Sequence, residues 1–259
     1  MEYSRGMSKT PATAASAPAK SRQTNVAAPQ AVLFDAYGTL FDVYSVALLA
    51  EQLFPGHGQA LSVLWRDKQI EYTRLVTTSN HGAHYQPFWE LTRAALVFAI
   101  KKLVPHADST RADAGLGQQV EQLMNQYRSL SAFPENRAVL QSLKDLGVPT
   151  GILSNGDTAM LTLALKSSGL HGLVDHVISV DPVRLYKTAP EAYALGPQTL
   201  GVTAAKVLFV SSNAWDALGA TWFGYQTLWV NRYQQPFEEL GTQPSRTGDS
   251  LRAVLDFFH

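Results

Sequence analysis

The spacing of apolar residues divides the chain into two zones that predict different structures. Between Val43 and Arg128, apolar residues recur every three or four positions, which is the spacing of the buried face of a helix. Proline and glycine, as in Pro55-Gly56, interrupt this spacing and end individual helices. The zone therefore predicts four helices without an intervening strand, at residues 46–53, 61–75, 88–103 and 117–130.

The second zone, from Pro134 onward, alternates short apolar runs with segments of helical spacing. Together with the apolar run Ala31–Phe34 near the start, these runs predict strands at residues 149–153, 176–180, 206–210 and 226–230. The segments between them predict helices at residues 139–146, 160–170, 191–200 and 214–223. Such alternation is typical of a parallel sheet covered by helices on both faces. The predicted fold class is α/β, with a doubly wound, Rossmann-like parallel sheet.

The order of the two zones predicts three parts of the chain. A core of residues 30–42 and 133–259 is interrupted after its first strand by a four-helix cap of residues 43–132. Residues 1–29 are rich in Ala, Ser, Thr, Pro, Lys and Gln, which predicts a disordered tail. An organelle transit peptide is the less favoured alternative for this segment.

Composition excludes several classes of function. The 21 Lys and Arg residues balance the 21 Asp and Glu residues, so we expect no attraction to nucleic acid or to an acidic membrane. The absence of cysteine excludes disulfides, thiolate metal sites and cysteine nucleophiles, and it fits a cytoplasmic protein. No apolar stretch of the sequence is long enough to span a bilayer.

Polar clusters follow four of the predicted strands. Asp35 comes directly after the first strand, and the other clusters are Ser154-Asn155-Gly156-Asp157, residues 181–187 and residues 211–216. Because the carboxyl ends of parallel strands meet at one edge of a sheet, we expect these clusters to surround Asp35. A carboxylate in that position can act as a nucleophile.

These clusters carry a resemblance that covers the chain from Gln30 onward. The matching stretches are Phe34-Asp35-Ala36-Tyr37-Gly38-Thr39-Leu40-Phe41-Asp42-Val43, Leu64-Trp65-Arg66, Leu153-Ser154-Asn155-Gly156, Asp181-Pro182-Val183 with Tyr186-Lys187, and Phe209-Val210-Ser211-Ser212-Asn213-Ala214-Trp215-Asp216. With these stretches the chain resembles the type II (S)-2-haloacid dehalogenases of the haloacid dehalogenase superfamily.

The resemblance implies hydrolytic dehalogenation of short (S)-2-haloalkanoic acids to (R)-2-hydroxyalkanoic acids. In the implied first step Asp35 displaces the halide from C2 and forms an ester, and water hydrolyses that ester in the second. The implied reaction needs no cofactor and no metal, because a halide leaves without a proton and a monocarboxylate carries less charge than a phosphate. The substrate and water are the expected small-molecule partners.

Matching positions also imply the role of each site residue. The implied catalytic residues are Asp35, Lys187, Asp216, Arg66, Asn213, Ser211 and Thr39. The implied substrate-binding residues are Ser154, Asn155, Ala36, Tyr37, Tyr193, Trp215, Ile70 and Phe88. Within these sets, Arg66 and Asn155 are expected to receive the halide, Lys187 to keep Asp35 ionised, and Asp216 to activate water. Tyr193 is expected to support Lys187 or Asp216.

Two alternatives stay open. One is a Mg²⁺-dependent phosphatase or phosphonate hydrolase of the same superfamily, and the other is a catalytically silent relative that binds a small carboxylate or a protein. Against the first, Tyr37 stands where the superfamily's phosphatases carry a second Asp, and residues 211–213 lack an acid. Against the second, the residues implied for chemistry, Asp35, Lys187 and Asp216, are all present.

The chain departs from the family pattern at three places. Asp67 follows Arg66 where relatives commonly have Gln, and Thr188-Ala189 follows Lys187 where relatives commonly have Pro-Asp. The segment Thr77–Gln86 is a few residues longer than in close relatives. We expect a homodimer, from the resemblance and from the aromatic residues of the predicted cap, Trp65, Tyr72, Phe88 and Trp89.

Overall fold

The structure, a computed structural model, describes residues 28–104 and 113–258. The predicted tail of residues 1–29 lies outside the described residues except for its last two positions. A six-stranded parallel sheet forms the centre of the described chain, in the order β3-β2-β1-β4-β5-β6. The strands are β1 Ala31–Phe34, β2 Thr150–Ser154, β3 His176–Ser179, β4 Val207–Ser211, β5 Gln226–Val230 and β6 Arg246–Gly248. The predicted α/β class is confirmed.

Successive strands are added to opposite sides of β1: β2 and β3 lie on one side, and β4, β5 and β6 lie on the other. Leu33 of β1 lies opposite Gly151 of β2 on one side and opposite Phe209 of β4 on the other. Every residue of these three strands is buried, as their continuous apolar runs predict. In an open α/β sheet such a change of side opens a crevice beyond the carboxyl ends of the strands. The residues that follow β1, β2 and β4 therefore share one crevice.

Four helices cover the sheet, and each matches a predicted helix within a few residues. They are α5 Asn136–Asp145, α6 Thr158–Ser167, α7 Pro190–Leu200 and α8 Ala214–Phe223. Asp157 begins α6 by accepting a hydrogen bond from the amide of Met160 at 2.8 Å. Pro190 occupies the first turn of α7, where its missing N–H costs no helical hydrogen bond.

A helical unit lies between β1 and α5. Its helices in the described residues are α1 Ala47–Leu53, α2 Gly58–Thr78, α3 Phe88–Leu103 and α4 Asp113–Tyr127, in agreement with the four predicted. The second helix starts three residues before its predicted first turn because Glu51 caps it. The Glu51 carboxylate accepts hydrogen bonds from the amides of Gly56 at 2.6 Å and Gly58 at 2.8 Å.

The chain crosses between the sheet and the helical unit at two adjacent points. The amide of Asp42 donates to the carbonyl of Ser131 at 2.8 Å. The amide of Phe133 and the side chain of Asn136 both donate to the carbonyl of Leu40, at 3.3 and 2.7 Å. These hydrogen bonds join the two crossings into one short connection, which we call the hinge.

The spacing of apolar residues did not predict the shortest strand or the 3-10 helices. The final strand, β6, has only three residues, and it forms by pairing with β5 rather than from an apolar run of its own. The 3-10 helices were also not predicted, and they span Ser79–Gly82, Asp181–Val183, Ala204–Lys206 and Leu251–Phe257. Among residues 28–104 and 113–258, no helix combines the length and apolar character needed to cross a membrane.

Candidate active site

Asp35 lies at the carboxyl end of β1, where both of its carboxylate oxygens are hydrogen-bonded. Its Oδ1 accepts from Nζ of Lys187 at 3.1 Å. Its Oδ2 accepts from Oγ1 of Thr39 at 3.0 Å and from Nδ2 of Asn213 at 2.8 Å. The side chain is only 8% exposed. Three donors from three segments thus hold one almost buried carboxylate in a single orientation.

Lys187 bridges two carboxylates. Its Nζ also donates to Oδ2 of Asp216 at 3.0 Å, and both of these side chains are fully buried. The ammonium group lies 4.8 Å from the ring centre of Phe209, on the sheet beneath it. The set of Asp35, Lys187 and Asp216, called here the charge cluster, therefore combines one cation with two acids, and of the three only Asp35 keeps exposed side-chain surface.

Burial determines how Asp216 titrates. Removal from water raises the pKa of the Asp216 carboxyl to about 6, and the charge of Asp35 acts in the same direction. The Lys187 ammonium and a hydrogen bond from the Tyr193 hydroxyl oppose that rise. An acid with a pKa near neutrality is suited to accept a proton during a reaction.

Tyr193 lies behind Asp216 rather than beside the cavity described below. Its hydroxyl donates to Oδ1 of Asp216 at 2.7 Å, and its own carbonyl accepts from the hydroxyl of Tyr225 at 2.6 Å. Burial, and then the neighbouring Asp216, raise the pKa of the Tyr193 hydroxyl well above its usual range, so it stays a donor. Of the two supports expected from the sequence, the structure places Tyr193 against Asp216; it does not bring it to the substrate side.

The turn after Asp35 brings a backbone carbonyl to the cavity. Gly38 adopts a φ of 94°, a conformation that favours glycine, and its amide donates to the carbonyl of Phe41 at 2.7 Å. The carbonyl of Ala36 accepts from the amides of Leu40 and Phe41 and closes the same turn. The carbonyl of Tyr37 consequently accepts from side chains across the cavity.

Arg66 connects α2 of the helical unit to this turn. Its Nη2 donates to the carbonyl of Tyr37 at 3.0 Å and to Oδ1 of Asn213 at 3.1 Å. Its Nη1 donates to Oε1 of Gln69 at 2.6 Å, one helical turn further along α2. The arginine thus lies between two acceptors that follow strands of the sheet and one acceptor of the helical unit.

Gln69 is a site residue that the sequence analysis did not identify. It is buried, and its Nε2 donates to Oγ1 of Thr92 at 2.7 Å and to the hydroxyl of Tyr127 at 3.1 Å. The hydroxyl of Thr92 in turn donates to the carbonyl of Phe88 at 2.7 Å. The spacing of three residues from Arg66 was the available signal, because residues three apart lie on one helix face.

A small cavity lies in front of Asp35. It is lined by Asp35, Tyr37, Arg66, Ile70, Phe88, Ser154, Asn155 and Trp215. The ring of Tyr37 packs 5.6 Å from that of Phe88 and stacks at 5.5 Å on that of Tyr127. The structure therefore brings the expected apolar residues together around a floor of polar groups.

The remaining predicted residues support the loops around the cavity. The hydroxyl of Ser154 accepts from the amide of Gly156 at 3.1 Å, and Oδ1 of Asn155 accepts from the amide of Lys187 at 3.0 Å. The hydroxyl of Ser211 accepts from the amide of Asn213 at 3.1 Å. Ser211 is therefore buried beneath the loop, with its oxygen turned to the backbone.

The donors around Asp35 are directed at its own carboxylate oxygens. An ammonium, an amide N–H₂ and a hydroxyl already point at the Asp35 oxygens, and Lys187 neutralises Asp216 as well. Within the described residues, no three His, Asp or Glu side chains form a group that could hold a metal ion. Asp67, the departure next to Arg66, is exposed and does not line the cavity.

The sequence is similar to one known protein family and to several of its members. The sequence profile of the haloacid dehalogenase-like hydrolases matches residues 29–224. The haloacetate dehalogenase H-2 of Moraxella sp. (strain B) is 40% identical over 226 residues, which cover 87% of this chain and 96% of the relative. The (S)-2-haloacid dehalogenase of Pseudomonas sp. (strain YL) is 41% identical over 227 residues, which cover 88% and 93%.

Solved structures agree with these sequence relatives. The L-2-haloacid dehalogenase RSc1362 is similar with a TM-score of 0.81 and 54% identity, over 89% of this chain and 98% of the other. The L-2-haloacid dehalogenase of Xanthobacter autotrophicus, solved with chloropropionic acid covalently bound, has a TM-score of 0.78 and 34% identity over 89% and 98%.

Proposed function

Because the chain belongs to the haloacid dehalogenase-like hydrolases, in their (S)-2-haloacid dehalogenase branch, we propose that it hydrolyses the carbon–halogen bond of short (S)-2-haloalkanoic acids. The products are (R)-2-hydroxyalkanoic acids and halide. The observation that carries the proposal is the Asp35 carboxylate, held by Lys187 at 3.1 Å and facing a small cavity with apolar walls.

In the first step a carboxylate oxygen of Asp35 forms a bond to C2, and the carbon–halogen bond breaks with its electron pair on the halide. The Lys187 ammonium, 3.1 Å from Oδ1 of Asp35, holds the nucleophile in place. Attack opposite the leaving group inverts C2. The covalently bound chloropropionic acid in the relative from Xanthobacter autotrophicus supports an ester of this kind.

Two groups of donors orient the substrate. The hydroxyl of Ser154 and the amides near Ala36 and Tyr37 bind the carboxylate, while Arg66 and Asn155 receive the halide. Arg66 already donates to Tyr37 and Asn213, so the halide competes with these acceptors for the guanidinium. A delocalised cation suits such a large, weakly hydrated anion.

In the second step a water oxygen adds to the carboxyl carbon of Asp35 and Asp216 accepts the water proton. The tetrahedral intermediate collapses, the bond between the acyl carbon and the ester oxygen breaks, and the 2-hydroxy acid leaves with that proton. Asn213 and Ser211 hold the loop from which this water is positioned. The raised pKa of Asp216 suits this exchange of a proton.

We propose that no metal takes part. A phosphatase or phosphonate hydrolase would need an acidic residue for Mg²⁺ in the last loop, where this chain has Ser211-Ser212-Asn213. It would also need a leaving-group acid, and Tyr37 stands at that position. Lys187 and Arg66 supply the positive charge that a monocarboxylate and a halide require. A silent carboxylate-binding relative would have no need for the charge cluster.

The assembly proposed is a cytoplasmic homodimer in which residues 43–132 form the cap. Trp65 and Phe88 are buried within one chain and do not contribute to an interface, whereas Tyr72 and Trp89 remain partly exposed. Exposed apolar residues of the cap helices, such as Leu48, which is 79% exposed, now support the proposal instead. Light scattering that finds a monomer would contradict it.

The decisive experiment measures halide release from (S)- and (R)-2-chloropropionate in EDTA, with an Asp35→Asn variant and an Asp249→Asn control at an exposed position. We expect release from the (S) form alone, unaffected by EDTA, lost in Asp35→Asn and kept in Asp249→Asn. Release from neither form, or Mg²⁺-dependent hydrolysis of a phosphate ester, would overturn the proposal.

A further inference from the structure

A cap segment lies directly on the core loop that carries Lys187. The segment, residues 77–86, joins α2 to α3, and we call it the strap; the loop runs from β3 to α7. The hydroxyl of Tyr85 donates to the carboxylate of Asp181 at the start of this loop. At its other end, the amide of Tyr186 donates to Oγ1 of Thr77 at 3.0 Å.

A further hydrogen bond and two ring contacts complete this junction. The hydroxyl of Tyr186 donates to the carbonyl of Gln86 at 2.5 Å. The rings of Tyr85 and Tyr186 stack at 5.2 Å, and the guanidinium of Arg184 lies 5.4 Å from the ring centre of Tyr85. The strap thus touches the loop at its beginning, middle and end.

The backbone of the strap is shaped for this contact. Gly82 has a φ of 77°, and a Cβ on it would lie 2.7 Å from the carbonyl oxygen of Arg184. Asn80 and His81 also have positive φ values, which non-glycine residues seldom adopt. Such conformations persist where the surroundings determine them, here the loop that the strap covers.

Lys187 follows Tyr186 directly, so the strap acts one residue away from the cation of the charge cluster. We propose that Tyr85 is a positioning residue that holds the Lys187 loop through Asp181, and so places the lysine against Asp35. Burial, and then the hydrogen bond to Asp181, raise the pKa of Tyr85, so its hydroxyl remains a donor. The effect on turnover rests on the proposed function; the effect on the loop does not.

The test combines turnover with hydrogen exchange of the loop amides. Tyr85→Phe keeps the stacked ring and removes only the hydroxyl, and Asp181→Ala removes the acceptor. We expect each to lower kcat about tenfold with KM changed less than about twofold, and to speed exchange at residues 184–187. The double variant should be no worse than either single variant, because both remove the same bond.

Two further variants separate positioning of the Lys187 loop from a general loss of stability. Asp181→Asn keeps an oxygen acceptor and should restore kcat and exchange to near the wild-type values. Tyr233→Phe, at a tyrosine that is 56% exposed, is the matched control and should change neither quantity.

Other outcomes would overturn either the positioning role or the proposed function. Unchanged exchange in Tyr85→Phe, or faster exchange without a fall in kcat, would overturn the positioning role. If Asp181→Asn were as impaired as Asp181→Ala, the charge of Asp181 rather than its hydrogen bond would matter, and this result would also overturn the positioning role. A wild type that releases no halide would refute the proposed function, while exchange would still decide whether Tyr85 holds the loop.

Discussion

The core side of the cavity and its cap side hold their charges in different ways. On the core side, Lys187 and Asp216 are fully buried and bonded to each other, and Asp35 is bonded to three donors. On the cap side, Arg66 is only partly buried and has acceptors from both sides of the cavity. The core charges thus hold one another in place, whereas the arginine is held by neutral acceptors from both sides of the cavity.

This difference follows from what each side must do in the proposed reaction. A nucleophile and its counter-ion gain from a fixed geometry, because reacting atoms must be aligned before reaction. A group that receives a leaving halide must form a new contact during the reaction, so its resting hydrogen bonds must be replaceable. We therefore expect core substitutions to cost more than cap substitutions.

The largest effect is expected for Lys187→Met. Loss of the ammonium leaves two buried carboxylates facing each other, so one of them takes up a proton and Asp35 loses its counter-ion. We expect halide release to fall at least about 10⁴-fold and the free energy of unfolding to fall by about 3–5 kcal/mol. Halide release and urea denaturation measure the two effects.

Lys166→Met provides the control for this variant, because Lys166 is exposed on α6. It should change neither halide release nor the urea midpoint. If Lys187→Met kept a tenth of the wild-type activity, the core would not be the fixed side of the cavity.

The second effect is expected for Asp216→Asn and for acidification. Below about pH 6 Asp216 is protonated in the folded protein and cannot accept a proton from water, so kcat of the wild type should fall with falling pH. In Asp216→Asn we expect kcat to fall about 10³-fold because the ester is no longer hydrolysed. Intact-protein mass should then show the 2-carboxyalkyl ester adduct of Asp35.

A single turnover separates this explanation from a loss of the first step. Asp216→Asn should release about one halide per active site in an initial burst, followed by a slow phase. Absence of both the burst and the adduct would place the defect before ester formation, and would contradict water activation by Asp216.

The fold and the polar edge of the sheet were predictable from local signals. Buried strands are short apolar runs, and the end of each run marks the residues that lie at the sheet edge. Asp35 and Ser154 lie at the ends of such runs, and Lys187 and Asp216 lie in the loop or helix that follows one. The parallel topology therefore places all four at the same edge of the sheet. The interactions that depend on where helices contact one another could not be found in this way.

Gln69 and the strap show why these features escaped prediction. A glutamine on a helix is ordinarily exposed, and Gln69 is buried only because α3 and α4 supply Thr92 and Tyr127. The strap owes its conformation to Arg184 and Asp181, about 100 residues further along the chain. The three-residue strand β6 likewise depends on its partner, β5.

A smaller effect is expected on the cap side for Gln69→Leu. The variant fills the same space but leaves Nη1 of Arg66 without its acceptor, so the guanidinium should become less ordered. We expect halide release to fall about tenfold, with the larger loss for the substrate whose halide leaves less readily. Turnover of (S)-2-chloropropionate and (S)-2-bromopropionate compares the two.

Gln141→Leu, at an exposed glutamine of α5, is the control and should leave both rates unchanged. Equal losses for chloride and bromide would mean that Gln69 supports the cap in general. A loss as large as that of Lys187→Met would remove the proposed difference between the two sides.

The smallest effect is expected at the hinge, where the two sides meet. Glu135 pairs with Arg232, whose Nη2 also donates to the carbonyl of Thr39 at 3.3 Å in the turn after Asp35. Partial burial by itself would raise the pKa of the Glu135 carboxyl, but hydrogen bonds from Arg232 and from backbone amides outweigh it and lower the pKa. Glu135→Gln should therefore lower the free energy of unfolding by about 0.5–1 kcal/mol at pH 7.

The lowered pKa of the Glu135 carboxyl determines how its contribution to stability changes with pH. A carboxyl with a lowered pKa in the folded state stabilises above its unfolded pKa of about 4.3, and this contribution disappears as pH falls through the folded value. Urea denaturation should thus separate Glu135→Gln from wild type at pH 7, and the difference should shrink as the pH is lowered through the folded pKa of Glu135. Glu239→Gln, at an exposed position, should follow wild type throughout. Halide release should stay within about twofold, because the charge cluster keeps Asp35 in place without the ion pair. A large loss of turnover in Glu135→Gln would instead mean that the hinge sets the geometry of the core side.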